Sequence, residues 1–406
     1  MKVLIVHERY TQPGGEDQVY LDEAALLESR GHTVIRYERH NDELATTGRL
    51  RQAVETVWSR RAVAQIDALL KRERPDVMHC HNTFPILSPA VHHAAARRGV
   101  ATVQTLHNFR LICPQGALRR DGRICEDCVG RTFAAPAIRH ACYRGSRAAT
   151  AATAAMNAAH HALGTWTHVV DRFIALTEFS RDLFVRAGLP AERIEVKPNF
   201  VAPDPGPGPA VRTGGILFVG RLSEEKGVNT LLDAWNQVRG DVRLTIVGDG
   251  PLGEEVRAAA AADPRITAAG RRPFAEVLQR VAGAEALVMP SVWYETFGRT
   301  LIEAFAAGTP VIASRLGAMA ELVADDETGV LFPAGDAAAL AAAVNALHSD
   351  PARRARLGDA ARDAYVAGFT ADRNYELLRA IYEHAVARAR PSSPSLPPAS
   401  RVTAPA

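Results

Sequence analysis

Two glutamates flank a predicted helix start in the segment Ser291–Ser314, whose sequence is SVWYETFGRTLIEAFAAGTPVIAS. Glu295 lies in a predicted loop, and Glu303 lies on the helix that is expected to begin near Gly298. The start of a helix leaves backbone N–H groups free and carries a partial positive charge, so it attracts anions. Carboxylates form charge-assisted hydrogen bonds with the hydroxyls of a sugar. The alternative interpretation is two solvated surface glutamates, because most glutamates in proteins are exposed.

Two cations follow an apolar run in the same half of the chain, in the sequence ILFVGRLSEEKGVNTLLDAW. Arg221 and Lys226 flank a polar turn at the carboxyl end of a predicted strand, where they could bind a dianionic diphosphate. A solvated charged turn is the simpler reading of this pair taken alone. The functional reading gains support because Phe297, Gly298 and Arg299 supply a second anion-binding element at the predicted helix start.

The positions of the two glutamates predict different roles. Glu303, between one and two turns into the helix, is expected to accept both hydroxyls of a ribose, as acidic residues do in other nucleotide folds. Glu295, in the loop before the helix, is expected to reach further into a cleft and to contact whatever the diphosphate carries.

Histidines follow two predicted strands in the first half of the chain. His107 comes after VATVQTL, at the carboxyl end of a strand, and is expected to face the cleft. A neutral imidazole there could hydrogen-bond a sugar hydroxyl and help to stabilise an oxocarbenium-like transition state. The alternative is a histidine bonded into the core. We interpret His79 and His81, in VMHCHN, as structural, because one points into the sheet and no contact can be assigned to the other.

Four of the five cysteines lie within ICPQGALRRDGRICEDCVG and the following HACYRGS, at Cys113, Cys125, Cys128 and Cys142. The Cys-x-x-Cys pair suits tetrahedral zinc, and the four thiolates together make a plausible structural site beside the acceptor side of the cleft. The outer spacings differ from those of a standard zinc finger, and free thiols are the alternative. Cys80, at the end of a strand, is expected to be a buried apolar residue.

The elements that must position these residues are those of an α/β protein. Short apolar runs alternate with longer helical stretches, which is typical of parallel sheets, and a length of 406 residues predicts two domains. A segment rich in proline and glycine separates the two halves, and a tail rich in proline and serine ends the chain. The predicted segments are a first domain at 1–202 with a cysteine-containing insertion at 108–146, a linker at 203–215, a second domain at 216–368, a helix packing back on the first domain at 369–389, and a disordered tail at 390–406.

Composition narrows the possible functions. The net charge of +3 is too small to argue for a nucleic-acid partner. No apolar run approaches the ~20 residues that span a bilayer, and the apolar run in the opening MKVLIVHERY is too short for the core of a signal peptide. We therefore expect a cytoplasmic protein, with cysteines that are reduced or metal-bound. Ligands of parallel sheets bind at the carboxyl ends of the strands, so the cleft between the domains is the expected site.

The motifs, taken in order, resemble glycosyltransferase family 4. GRLSEEKG, VGDGP, ETFGRTLIEAFAAGTPVIAS, GAMAELV and ETGVLF match its second half, and PGGEDQVY, PDVMHCHN, TLHNFRLICP and VKPNFV fit its first half. The resemblance covers nearly all of residues 1–385. It implies the GT-B fold, in which two Rossmann-like domains with parallel sheets face each other across a deep cleft. It also implies transfer of a sugar from a nucleotide-diphosphate donor, with retention of anomeric configuration and without a divalent metal or other cofactor.

By this resemblance, Arg221 and Lys226 hold the donor diphosphate and Glu303 holds the ribose. Glu295 contacts the hydroxyls of the transferred sugar, and His107 touches the same sugar.

Two further features follow from the family pattern. Gly15, in the loop after the first strand, lets backbone N–H groups approach the donor or the acceptor. In retaining members the leaving phosphate oxygen is proposed to take the acceptor's proton, so no dedicated base is required.

The acceptor implied by the resemblance is a glycan or a lipid-linked glycan of polysaccharide or glycoconjugate biosynthesis. A basic stretch could touch the inner face of an anionic membrane, although a solvated face is the alternative; it consists of Arg139, His140, Arg144 and Arg147. Two other functions remain open: a GT-B nucleotide-sugar epimerase, which would need acid and base residues at the second carbon of the sugar, and a non-catalytic scaffold that binds nucleotides or carbohydrates.

Overall fold

The structure, a computed structural model, describes residues 1–11, 14–46 and 48–389. The predicted disordered tail, residues 390–406, lies outside the described residues. The described chain forms two parallel six-stranded sheets with helices packed on them. The predicted α/β fold with two sheets of parallel strands is therefore confirmed.

The first sheet and its helices are built from the N-terminal half of the chain, which also forms a small antiparallel hairpin, β5–β6. The strands of this half of the chain, including the two of the hairpin, are β1 (Lys2–Arg9), β2 (Thr33–His40), β3 (Val77–Cys80), β4 (Ala101–Thr105), β5 (Arg119–Arg120), β6 (Arg123–Ile124), β7 (Arg172–Ala175) and β8 (Ile194–Val196). Its helices are α1 (Gly15–Ser29), α2 (Arg49–Val57), α3 (Arg60–Glu73), α4 (Val91–Arg97), α5 (Ala135–Arg139), α6 (Arg147–Ala162) and α7 (Glu178–Arg186).

The second sheet and its helices follow in the C-terminal half. The strands are β9 (Ile216–Val219), β10 (Leu244–Val247), β11 (Ile266–Gly270), β12 (Ala286–Met289), β13 (Val311–Ser314) and β14 (Gly329–Phe332). The helices are α8 (Val228–Trp235), α9 (Gly253–Ala262), α10 (Phe274–Gly283), α11 (Arg299–Ala306), α12 (Gly317–Leu322), α13 (Ala337–His348), α14 (Pro351–Gly368) and α15 (Ala371–Ala389).

The strand orders create one crevice in each sheet. The first sheet runs β2-β1-β3-β4-β7-β8 and the second runs β11-β10-β9-β12-β13-β14. The direction in which strands are added reverses between β1 and β3, and again between β9 and β12. Chain segments leave such a reversal point in opposite directions, and the crevice that opens at the carboxyl ends is where open α/β sheets bind ligands.

Most strands of the second sheet follow continuous apolar runs, because strands covered on both faces bury every side chain. Ile216–Val219 and Ala286–Met289 are apolar along their whole length. The strand Gly329–Phe332 has an apolar run of only three residues. Helix α1 begins at Gly15, before its first apolar residue Val19, and its polar first turn lines the cleft described below.

Helix α15 returns to the first sheet after the chain has completed the second. Its apolar face packs on the buried side chains of β1, β3, β4 and β7 in one cluster. The helix residues in that cluster are Leu378, Ile381, Tyr382 and Ala385. Its polar residue Asn374 is also buried and contacts the loop after β8. Consequently α15 contributes hydrogen bonds as well as apolar packing to the first domain.

In the described part of the chain, no helix combines the length and the apolar character that crossing a membrane requires.

Candidate functional site

A cleft between the carboxyl ends of the two sheets contains a cavity of about 880 Å³. Both domains contribute to its walls. Most of the predicted site residues line it, namely Gly15, His107, Arg221, Lys226, Glu295, Phe297, Gly298 and Arg299. Glu303 and the four cysteines of the insertion lie outside this lining.

The second-domain wall is centred on an ion pair at the crevice between β9 and β12. Lys226, in the turn after β9, lies 2.7 Å from the carboxylate of Glu295, in the loop after β12. Ser291 donates a hydrogen bond of 2.8 Å to the same carboxylate oxygen. The Lys226 ammonium also lies 5.3 Å from the centre of the Trp293 ring, which is within the range of a cation–π contact. The two predicted site residues are thus held together in one polar cluster.

Arg221 completes this wall as an exposed cation. It follows Gly220 at the end of β9 and lines the cavity. Within the described residues, the Arg221 guanidinium forms no ion pair. The guanidinium therefore keeps its planar set of donors available for an oxyanion, while Lys226 is shared with Glu295.

The start of α11 forms a third part of the same wall. Gly298 adopts φ 94°, and an added Cβ would lie 3.1 Å from the Met289 side chain, so the turn into the helix favours glycine. The helix then begins at Arg299, and its first residues, Arg299 and Thr300, line the cavity, so the free backbone N–H groups of the first turn lie at the cleft. Phe297 is buried behind this turn and packs near Phe369.

Glu303 lies deeper than the predicted ribose-binding role requires. It is 4% exposed, and it accepts a hydrogen bond of 2.9 Å from Arg299. Burial raises the pKa of Glu303, and the Arg299 guanidinium opposes that shift. Arg299 also lies 2.7 Å from Asp22 on helix α1 of the other domain. Arg299 therefore stands between Glu303 and the cavity and links the two domains.

The first-domain wall begins at the N-terminus of α1. Gly15 lines the cavity, and the preceding Gly14 N–H donates a 2.8 Å hydrogen bond to Asp17. Burial opposes ionisation of Asp17, but hydrogen bonds from His7 and from backbone N–H groups hold its pKa below the usual value. Asp17 therefore fixes the conformation of this loop, although the sequence did not identify it as a site residue.

Glu16 was also missed from the sequence, although it stands next to Gly15. It lines the cavity, and its carboxyl accepts a 3.1 Å hydrogen bond from the Tyr10 hydroxyl. Burial raises the pKa of Glu16 to about 8, against the opposing effects of Tyr10 and Arg110. The wall opposite Arg221 and Lys226 therefore carries a carboxyl group that is protonated over much of the neutral range.

His107 lies at the centre of the first-domain wall, at the carboxyl end of β4. Its Nε2 atom is 2.9 Å from Nδ1 of His81, which follows β3. The sequence could assign no contact to His81, because a contact between two adjacent strands leaves no local signal, and its structural role stays a prediction. The pairing of β3 with β4 brings the two side chains together.

His79 is buried, as the sequence interpretation required. It bonds to the hydroxyls of Tyr382 and Thr105, at 2.8 and 2.7 Å. Burial lowers its pKa to about 4, so it is neutral near pH 7. Cys80, in the same strand, is fully buried in an apolar cluster, as predicted.

Direct contacts hold the two walls together. Thr296 of the second domain donates a 2.8 Å hydrogen bond to the backbone carbonyl of His107. Within the cysteine-containing insertion, Arg119 of β5 forms a 3.0 Å ion pair with Glu224, in the turn that leads to Lys226. The polar turn after β9 is therefore braced by the first domain.

The four cysteines of the insertion do not form a compact ligand set. In residues 1–11, 14–46 and 48–389, the only group of three metal-ligating side chains with ligand atoms within 4.8 Å of one another is Glu23, His79 and His81. Cys113 packs into the cluster around Phe109, whereas Cys128 belongs to a separate small cluster with Cys142 at its edge. Burial, with a smaller contribution from the neighbouring thiols, raises the pKa of Cys128 to about 11.

The group formed by Glu23, His79 and His81 already contains a cation. The Lys197 ammonium lies 2.5 Å from Glu23, and both side chains are fully buried. This ammonium neutralises the carboxylate that a metal would need as a ligand, so the cluster does not fit a metal ion.

Two family models match adjacent parts of the chain. Residues 13–205 match the model described as Glycosyltransferase Family 4. Residues 213–350 match the model described as Glycosyl transferases group 1. The boundary between the two matches falls at the junction between the two sheets.

Curated relatives are similar to part of the chain. Glycogen synthase of Mycobacterium tuberculosis (strain ATCC 25618 / H37Rv) is 34% identical over 219 residues, which are 52% of this chain and 51% of that protein. Phosphatidyl-myo-inositol mannosyltransferase of Mycobacterium leprae is 39% identical over 166 residues, which are 40% of this chain and 42% of that protein. The chain thus spans about half the length of the curated relatives it matches.

Solved structures share the fold over nearly the whole chain. Sucrose-phosphate synthase from Thermosynechococcus elongatus superposes with a TM-score of 0.70 at 19% identity, covering 96% of this chain and 100% of that chain. Anabaena HepE, solved in complex with UDP-glucose, gives a TM-score of 0.66 at 20% identity, covering 94% of this chain and 100% of that chain. At these identities the likeness shows the fold alone, and it confirms the predicted pair of Rossmann-like domains.

Proposed function

Because this chain belongs to glycosyltransferase family 4 and has the GT-B fold, we propose that it transfers a sugar from a nucleoside-diphosphate-sugar donor to an acceptor. The observation that carries this proposal is the cluster of Arg221, Lys226 and Glu295 at the crevice of the second sheet. It combines two cations for a diphosphate with a carboxylate for sugar hydroxyls.

The donor is held mainly by the second domain. Arg221 and Lys226 bind the diphosphate, and the free N–H groups at the start of α11 bind a phosphate oxygen. Lys226 already lies beside Glu295, so a bound diphosphate carries its sugar next to that carboxylate. Glu303 binds the ribose once Arg299 moves from the position in which it covers that carboxylate.

The same groups favour the chemical step. The bond between the anomeric carbon of the sugar and the diphosphate oxygen breaks, and negative charge gathers on the departing diphosphate. Arg221, Lys226 and the start of α11 stabilise that charge more strongly in the transition state than in the ground state. The acceptor oxygen then bonds to the anomeric carbon, and its proton passes to the diphosphate oxygen. The transfer proceeds with retention of configuration and uses no metal cofactor.

His107 acts on the sugar rather than on the diphosphate. Burial, together with nearby His7, His79 and Lys197, holds the pKa of His107 well below its usual value. A neutral imidazole adds no charge to the site, so it hydrogen-bonds a hydroxyl of the transferred sugar and does not compete with the two cations for the diphosphate.

The acceptor is a glycan or a lipid-linked glycan that enters along the first-domain wall, where Gly15 leaves room for close approach of the backbone. For a lipid-linked acceptor, Arg139, Arg144 and Arg147 provide charges that can contact the anionic inner face of a membrane. The protein is then a cytoplasmic, peripherally associated transferase.

A donor screen tests the proposed function and separates it from the two alternatives. The full chain is incubated with a panel of nucleoside-diphosphate sugars, with and without glycan or lipid-linked acceptors, and release of nucleoside diphosphate is followed. A transferase releases diphosphate when an acceptor is present. An epimerase converts one nucleotide sugar into another without needing an acceptor, and a scaffold binds without turnover; either result contradicts the proposal.

We also propose that Cys113, Cys125, Cys128 and Cys142 bind a structural zinc ion. The support is their common location in one insertion, where Cys128 and Cys142 pack in the same small cluster. Closing the site requires side-chain rotations that bring the sulfurs within tetrahedral distance of one metal. Arg119 joins this insertion to the turn before Lys226, so zinc steadies the edge of the cleft without taking part in transfer.

A further inference from the structure

A buried row of side chains leads from His107 away from the cleft and ends at an ion pair. We propose that Glu23 and Lys197 determine, through His81, which ring nitrogen of His107 carries its proton, so that His107 presents a hydrogen-bond acceptor to the cleft. His81, Glu23 and Lys197 are then positioning residues for His107. The consequence for sugar binding rests on the proposed function, but the proton arrangement itself does not.

The row is continuous and almost completely shielded from solvent. Lys197 and Glu23 are fully buried, and His81 is 2% exposed. The contacts run from Lys197 Nζ to Glu23 Oε1 at 2.5 Å, and from Glu23 Oε2 to His81 Nε2 at 3.4 Å. The last contact joins His81 Nδ1 to His107 Nε2 at 2.9 Å.

The ion pair decides the polarity of the contact between Glu23 and His81. The ammonium of Lys197 occupies one carboxylate oxygen of Glu23, which leaves Oε2 facing His81. Among the described residues, Glu23 Oε2 and His81 Nε2 have no hydrogen-bond partner, and these two buried atoms lie 3.4 Å apart. A carboxylate can only accept, and two lone pairs facing each other in a buried site repel. The proton of His81 must therefore be on Nε2.

The direction is then passed to His107. Burial, with smaller effects from His79 and His107, holds the pKa of His81 well below its usual value, so its ring is neutral near pH 7. A neutral ring that carries its proton on Nε2 has a lone pair on Nδ1. His107 Nε2 must donate to that lone pair, which leaves Nδ1 of His107 without a proton.

His79 does not disturb this order, although it lies in the same cluster. Its two nitrogens bond to the hydroxyls of Tyr382 and Thr105, and its Nδ1 lies 3.8 Å from Glu23 Oε2, beyond hydrogen-bond distance. A hydroxyl can rotate either to donate or to accept, so those contacts fit both tautomers of His79. The fixed direction comes only from Glu23, whose charge is held by Lys197.

The outcome for the cleft is a histidine that accepts a hydrogen bond at Nδ1. His107 lines the cavity, and in the described chain its Nδ1 atom has no protein partner. A sugar hydroxyl can donate a hydrogen bond to this nitrogen. The opposite tautomer would instead donate a hydrogen bond to the oxygen of the hydroxyl. The buried row therefore selects donor sugars that carry a hydroxyl at the position facing His107.

The substitution Glu23→Gln reverses every step in this row. The Lys197 ammonium draws the amide oxygen of the new side chain, which turns the amide NH2 towards His81. His81 then accepts at Nε2 and carries its proton on Nδ1, and His107 accepts at Nε2 and carries its proton on Nδ1. The group that faces the cleft changes from acceptor to donor while the size of the side chains is preserved.

Long-range 1H–15N NMR of the histidine rings in the full chain measures this change without any substrate. The signals of His107 are identified by their loss in His107→Gln. We expect the proton of His107 on Nε2 in the parent protein and on Nδ1 in Glu23→Gln. Tyr382→Phe, which removes a hydroxyl from the same cluster but not from the row, is the matched control and should leave His107 unchanged.

Two results overturn the proposal: a proton on Nδ1 of His107 in the parent protein, or an unchanged His107 in folded Glu23→Gln. The first is available even if the variant does not fold. Kinetics then tests the functional consequence: Glu23→Gln should lower kcat/KM about tenfold while the affinity for the free nucleoside diphosphate stays unchanged. If the parent protein transfers no sugar at all, the proposed function fails, and the NMR result still decides the proton arrangement.

Discussion

The two walls of the cleft are built in different ways. The second-domain wall is charged and accessible: Arg221 is exposed, and Lys226 and Glu295 form an ion pair at the cavity. The first-domain wall presents a neutral histidine, and its ionised partners lie behind it, fully buried. The first arrangement suits the binding of a charged group whose charge increases during reaction, and the second suits the choice of a neutral, hydroxylated group.

The walls also differ in how their residues are grouped in the chain. Each contact of the first wall joins separate segments, 26 positions apart for His81 and His107 and 174 for Glu23 and Lys197. The second wall also joins Lys226 to Glu295 across 69 positions, but Glu295, Gly298 and Arg299 share one short segment. The two walls should therefore respond differently to substitution. Removing the charges of the second wall should lower the binding energy of the donor, whereas changing the first wall should lower the selectivity for the sugar.

The largest effect is expected from removing both cations of the second-domain wall. Arg221→Ala plus Lys226→Ala should lower turnover by roughly two orders of magnitude, about 3 kcal/mol, because the departing diphosphate loses its stabilisation. Arg239→Ala plus Arg257→Ala, which removes two exposed arginines of the same domain outside the cavity, is the control. Normal activity in the first double variant would show that the donor diphosphate binds elsewhere.

Removal of Glu295 should reduce turnover more than donor binding. The carboxylate bonds Lys226 and Ser291 in the structure, and its loss with Glu295→Ala should cost about 1.5–3 kcal/mol in the transition state. Glu295→Gln, which keeps the size and the bond from Ser291, should retain part of the activity. Steady-state kinetics with saturating donor makes the measurement, and unchanged turnover in both variants would remove Glu295 from the site.

A smaller effect is expected at Glu303, and it should appear in binding. Glu303→Ala removes the ribose ligand and leaves Arg299 with Asp22, so donor affinity should fall about tenfold while turnover at saturating donor is retained. Glu276→Ala is the matched control, because Glu276 is also paired with an arginine four positions away but lies on α10 and not on α11, whose start lines the cavity. If calorimetry gives the same donor affinity for Glu303→Ala and Glu276→Ala, Glu303 is a structural partner of Arg299 only.

The smallest effect on the donor is expected from metal removal. If the four cysteines bind zinc, the native protein carries about one equivalent by elemental analysis, because four-thiolate sites are closed and tight. Chelation should lower the thermal stability and leave the donor affinity unchanged, since the insertion lies outside the cavity lining. Metal-free, fully active protein with four freely titratable thiols would exclude the site.

The second-domain wall could be predicted from the sequence, whereas much of the first-domain wall could not. The strands around Arg221 and Glu295 are continuous apolar runs, and the site residues fall in two short motifs, one at Arg221–Lys226 and one at Glu295–Arg299, so both the elements and the site were visible in the sequence. The contact of His81 could not be assigned because its partner follows another strand, and a pairing between strands leaves no pattern within either segment. Glu16 was missed for a different reason: α1 begins earlier than its apolar periodicity indicates.

The burial of Glu303 illustrates a further limit. The sequence correctly predicts that Glu303 lies on the helix after Gly298, but not that Arg299 covers it. The same Arg299 guanidinium also contacts Asp22, which approaches it from the other domain. Local spacing predicts which face of a helix a residue occupies, whereas access to a cleft depends on side chains brought from distant parts of the chain.

Calorimetric titration with a nucleoside diphosphate and with the matching nucleotide sugar tests the proposed division of roles most directly. Arg221→Ala plus Lys226→Ala should weaken the binding of both ligands by the same factor, because both contain the diphosphate. His107→Ala should leave the affinity for the nucleoside diphosphate unchanged and remove only the additional affinity that the sugar provides. The assignment of the diphosphate to one wall and the sugar to the other would be contradicted by either of two results. One is an equal loss of affinity for both ligands in His107→Ala, and the other is an unchanged affinity for both ligands in the double variant.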